Sequence, residues 1–110
     1  MNFDELFGGG KLEAMMQQAQ ALQKQVQEAQ DRAARREVVG ESGGGLVKVT
    51  ATGAMTIVKV LLDPVTLTDK EMLEDLITAA VNDALRRAKE AATAELGPLG
   101  EMAKNAGLGL

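Results

Sequence analysis

Fifteen residues in the middle of the chain, Gly40 to Ala54, constrain its fold more than any other stretch. They hold five glycines and separate a Gln-rich helical pattern from an Ala-rich one. Within them Val47, Val49 and Ala51 alternate with Lys48, Thr50 and Thr52, the period of a strand with one buried face. Leu46 to Thr52 is therefore a predicted strand. The turn Gly43-Gly44-Gly45 joins it to an earlier one, Glu37 to Ser42, whose apolar residues are Val38 and Val39. Gly53-Ala54 has the Gly-X form of a two-residue type II′ hairpin turn. A third strand, Met55 to Leu62, follows and stops at Asp63-Pro64, because proline cannot donate to a ladder. Both its faces are apolar apart from Thr56 and Lys59, as expected of a strand that is central or covered by a second subunit.

Helices flank this region. Lys11 to about Arg35 contains no Gly or Pro and is rich in Gln, Ala and Leu. Leu12, Ala19, Val26 and Ala33 recur every seven residues, with Met15, Leu22 and Ala29 between them, giving a seam over three heptads. The helix is longer than a small core needs, so part of it is expected to project. After the strands, Thr68-Asp69-Lys70-Glu71 reads as a capping box with Thr68 at the N-cap, and Leu67 and Met72 take the staple positions. Leu73, Leu76, Ile77, Ala80, Ala84 and Ala88 form the apolar face of a second helix ending near Gly97-Pro98. The chain divides into a Gly-rich leader (1–10), a folded domain (11–96) and a flexible Gly-rich tail (97–110).

The only aromatic residues are Phe3 and Phe7, so the core is built from Leu, Val, Ile, Met and Ala. A core of such thin side chains in 110 residues predicts a dimer or higher oligomer that shares apolar surface. There is no cysteine, no basic leader and no apolar run long enough to span a membrane, so the expected compartment is the cytoplasm. The net charge of −4 is unevenly spread: residues 11–36 carry +2, residues 63–83 carry −5 and residues 84–110 carry +1.

Catalysis is poorly served. The chain lacks His, Cys, Trp and Tyr and has a single serine, Ser42, which leaves no hydrolytic triad. Glu71, Glu74 and Asp75 are explained by helix capping and polarity. The triple glycine leads into a strand rather than a helix, unlike a phosphate-binding loop. The chain is accordingly read as a non-enzyme without cofactor, metal or small-molecule substrate. Lys11, Lys24, Arg32, Arg35 and Arg36 accumulate on the first helix among glutamines, a surface suited to phosphates. Arg86 and Arg87 lie at spacings that also permit pairing with Asp83 and Glu90, and Lys24 with Glu28. The absence of aromatics from the helices and strands argues against base stacking on single strands.

Met16-Gln17-Gln18-Ala19-Gln20, the stretch from Gly40 to Ala54, Asp69 through Leu76, Asn82-Asp83-Ala84 and Arg86-Arg87 together resemble the YbaB/EbfC family of small bacterial nucleoid-associated proteins. The resemblance runs in order from about Leu12 to Glu90. It implies an α+β fold: an α-β-β-β-α subunit with a three-stranded antiparallel sheet between two long helices. It further implies a tweezer-like homodimer whose sheets meet centrally and whose helices project as prongs around duplex DNA. Binding of little or modest sequence preference, and a part in nucleoid organisation or gene regulation, are also implied. The candidate phosphate contacts are Lys24, Arg32, Arg35, Arg36, Arg86, Arg87 and Lys89, with Gln17, Gln20 and Gln27 in support. The family pattern points to Arg86 and Arg87, and charge clustering to those on the first helix. A prefoldin-like holdase, gripping clients at its helix tips, is the competing reading.

Overall fold

The computed structural model describes residues 10–105. Residues 1–9 of the expected leader and 106–110 of the expected tail lie outside the described residues. The first helix, α1, runs Lys11–Arg35, uninterrupted by Gly or Pro and about 37 Å long at 1.5 Å per residue. Its heptad seam is buried only at Val26, Ala29 and Ala33; Leu12 and Met15 are exposed. The second helix lies opposite only the C-terminal half of α1, so the first turns project.

Strands β1 (Glu37–Ser42), β2 (Val47–Thr52) and β3 (Ile57–Leu62) form one antiparallel sheet in the order β1-β2-β3. Gly43, Gly44 and Gly45 all take positive φ, which only glycine adopts in succession at little cost. The β2–β3 connection differs from the expected two-residue hairpin. It spans residues 53–56, with bonds from Met55 N–H to Thr52 O and Thr52 N–H to Thr56 O, and its positive φ is at Met55 rather than Gly53. The third strand lies at the edge of the sheet rather than at its centre, and its register slips by one residue at Thr50/Ala51.

Gly53 serves a different purpose from the one its turn position suggests. A Cβ there would lie 1.8 Å from the carbonyl oxygen of Ala33, while its N–H donates to Arg36 O at 2.9 Å. Its bare backbone seats the C-terminus of α1 against the hairpin.

After β3 a 3-10 turn, Pro64–Thr68, is capped by the Asp63 carboxylate, which accepts from Val65 N–H at 3.0 Å. The following helix, α2, spans Lys70–Asn105. Its cap is Asp69, one residue later than the expected Thr68: Asp69 Oδ1 accepts from Met72 N–H at 3.1 Å. The Thr68 hydroxyl is engaged backwards, donating to Val65 O. The regular run breaks at Gly97 (φ 48°, ψ −134°), but helix resumes at Pro98 and continues to Asn105. Proline lacks only an N–H that the first turn of a new helix leaves unpaired. Part of the stretch read as a flexible tail is thus helical.

The core lies where α2 crosses β1 and β2. Val47, Val49 and Ala51, from one face of β2, are fully buried against Ala80, Ala84 and Ala88, at successive turns of α2. Alanines on the helix and a glycine on β1 bring the two backbones together: a Cβ on Gly40 would fall 2.2 Å from Ala84 N. Gly40→Ala should therefore lower stability by about 3 kcal/mol or more, since neither backbone can yield locally. Gly44→Ala, at positive φ but in open space, should cost only about 1–2 kcal/mol. Urea unfolding midpoints of the two variants test this ranking.

Candidate nucleic-acid interface

Two cationic groups form on the folded chain, at different places. The first is at the C-terminus of α1, where positive charge complements the helix dipole. Arg32, Arg35 and Arg36 line an open hollow together with Glu37 and Glu95. Arg32 Nε meets Glu95 Oε1 at 3.0 Å and ties α1 to α2. Arg35 and Arg36 are exposed and have no ion-pair partner among the described residues.

Lys24 lies three helical turns before Arg35 on the same stripe of α1, about 16 Å away. It too lacks an ion-pair partner among the described residues, Glu28 included. Gln17, Gln20 and Gln27 share that exposed stripe, but Gln27 donates to Asp31 at 3.2 Å.

The second group is on α2. Arg86 and Arg87 both converge on Asp83: an Arg86 terminal nitrogen on Oδ1 and Arg87 Nε on Oδ2 at 2.9 Å. Arg86 also approaches Glu90 at 3.9 Å. Asp83 Oδ2 accepts a third bond, from Glu41 N–H of β1 at 3.0 Å. Lys89 is exposed and has no ion-pair partner among the described residues.

The structure thus brings Arg32, Arg35 and Arg36 together and leaves Lys24 and Lys89 apart from them. Arg86 and Arg87 form a separate, pre-paired unit. The spacings of three and four residues already made Asp83 a visible partner. Glu95 was not visible, because 63 residues separate it from Arg32.

Among the described residues there is no cluster of metal-ligating side chains, and no helix is long and apolar enough to cross a membrane. Residues 8–103 match the model of the YbaB/EbfC DNA-binding family. The chain belongs to that family. It is 45% identical over 111 aligned residues to a nucleoid-associated protein of Francisella philomiragia, covering all of this chain and 92% of that one. Its fold is similar to the crystal structure of the uncharacterized protein HP0035 from Helicobacter pylori (TM-score 0.58, 24% identity). That match covers 82% of this chain and 87% of the other.

Within this family member the Asp83 carboxylate is strongly perturbed. The Glu41 N–H first, then the Arg87 and Arg86 guanidiniums, stabilise its carboxylate and lower its pKa from 3.8 to about 2. The folded value lies below the unfolded one. The stabilisation is therefore complete above about pH 4 and is lost as pH falls through about 2. In a carboxyl-detected NMR titration, Asp83 should titrate with a midpoint near 2. A midpoint near 4 would show that the three donors do not hold it.

Proposed function

We propose that this protein binds duplex DNA as a homodimer with low or modest sequence specificity, acting in nucleoid organisation and gene regulation. The observation that carries the reading is the cationic end of α1, where Arg35 and Arg36 stand exposed beside Arg32 with no ion-pair partner among the described residues. Lys24, farther along α1, and Lys89 on α2 extend the phosphate-contacting surface. Guanidiniums and ammoniums on rigid helices contact phosphates regardless of base sequence. The name of the Francisella relative supports a place at the nucleoid.

The dimer rests on β3. Its apolar residues Ile57, Val58, Val60, Leu61 and Leu62 are between 38% and 54% exposed, and Val65 and Leu67 extend the patch. A monomer rarely leaves so many apolar side chains exposed on both faces of an open edge strand in water. The protomer's own fully buried apolar residues, among those described, are six alanines and three valines. A core that thin gains from a shared interface. Light scattering at micromolar concentration should give about 23 kDa, twice the 11.6 kDa chain, and Val60→Lys should move the mass toward the single chain. A wild-type mass of one chain removes the dimer.

Arg35→Glu/Arg36→Glu should weaken binding to random-sequence duplexes uniformly and flatten the salt dependence by about 2 per protomer. Unchanged affinity and slope in the folded double variant would exclude both residues. The exposed apolar turns at the start of α1, with Leu12, Met15 and Met16, favour the holdase as a second reading. Suppression of client aggregation without salt-sensitive DNA binding would select it.

A further inference from the structure

We propose that Asp83 limits the affinity of this protein for duplex DNA by holding Arg86 and Arg87 away from phosphate. The inference rests on the DNA-binding reading above and concerns a residue of opposite sign to the ligand. One carboxylate accepts from three donors: Glu41 N–H of β1, Arg86 and Arg87. The two guanidiniums are surface groups, 63% and 51% exposed, whereas the Asp83 side chain is only 16% exposed beneath them. Arg87 engages through Nε, so the edge of its donor fork that includes Nε is occupied and only the edge between its terminal nitrogens remains for a two-bond phosphate contact.

The tie between β1 and α2 does not require the charge on Asp83. An asparagine oxygen can still accept from Glu41 N–H, in a weaker bond that lacks the help of the charge. What the charge adds is the capture of two arginines that otherwise face solvent. Residues 83–90 carry +1 with the carboxylate and +2 without it. Two guanidiniums bridged to one acid present a weaker, less adjustable field to a phosphate than two free ones. Asp83 therefore separates two classes of cation. Arg35, Arg36, Lys24 and Lys89 have no ion-pair partner among the described residues, while Arg86 and Arg87 are restrained.

The test uses the full-length protein and a random-sequence duplex, with affinity measured across a salt series. Asp83→Asn should bind roughly three- to tenfold more tightly at low salt, with a slope steeper by about 1 to 2, the release expected for up to two added phosphate contacts. Arg86→Gln/Arg87→Gln should cost more affinity in the Asp83→Asn background than in the wild type. Equal cost in both backgrounds, or no gain from Asp83→Asn in a protein with wild-type circular dichroism, overturns the proposal. A second measurement keeps it testable even if Asp83→Asn misfolds. On adding DNA to the wild type, the Arg35 Nε–H resonance should move while that of Arg87 stays in place. Equal movement of both overturns the proposal. Salt-sensitive binding by the wild type with no gain from Asp83→Asn sinks this inference alone. No binding by either protein sinks the DNA reading with it.

Discussion

The close approach of β1 to α2 at Gly40 and Ala84 is the constraint on which the remaining structure depends. With a Cβ position 2.2 Å from a backbone nitrogen, only glycine fits, and the helix lies against the sheet at a distance set by alanine. Val47, Val49 and Ala51 then suffice to fill the layer between sheet and helix, without an aromatic residue. The same proximity lets Glu41, the next residue of β1, donate its N–H to Asp83, one residue before Ala84. Packing and electrostatics are therefore coupled at one crossing. Gly53 repeats the device at the other end of the sheet, where its missing Cβ admits the carbonyl of Ala33 and seats α1.

These two glycines explain how a thin core holds an elongated molecule. The described chain measures 80 × 17 × 16 Å, so most of its length lies outside the sheet. α1 is anchored only through its last turns, by Val26, Ala29, Ala33 and the Arg32–Glu95 pair. The N-terminal half of α1 is solvated on all sides, and its helicity depends on the intrinsic propensity of Gln, Ala, Leu and Met. An arm of this kind keeps a rigid base and a freer end. Of the cations near the base, Arg32 is fixed by its pair with Glu95, and Arg35 and Arg36 project from the anchored end of the helix.

Much of this was legible in the chain because it rests on local chemistry. Strand alternation at Val47, Val49 and Ala51, the glycine turn before them and the alanine face of α2 are all short-range patterns. The misreadings occurred where a residue satisfies two local rules and tertiary contact selects between them. Thr68 and Asp69 are both good N-caps; the 3-10 turn after Pro64 engages the threonine hydroxyl and leaves the cap to Asp69. Gly53 fits a hairpin turn, but its missing Cβ is needed for Ala33, and the turn lengthens to accommodate that. Two apolar faces suit either a central strand or one covered by a second subunit, and the sheet order excludes only the first. At the candidate interface the cations themselves were legible. The partner of Arg32 was not, since nothing within a helical turn of it points to Glu95.

An acidic chain in a DNA-binding family is physically consistent once the carboxylates between residues 63 and 83 are located. Asp63 and Asp69 are held at the caps of the 3-10 turn and α2, and Asp83 bridges the sheet to two arginines. Glu71, Glu74 and Asp75 lie in the first turns of α2, where the helix dipole favours them. The negative charge is concentrated between residues 63 and 83, whereas the C-terminal end of α1 presents Arg32, Arg35 and Arg36 against Glu37 and Glu95. At physiological salt, charges separated by more than about 8 Å are largely screened from one another. A phosphate therefore experiences the arginines closest to it rather than the total of −4.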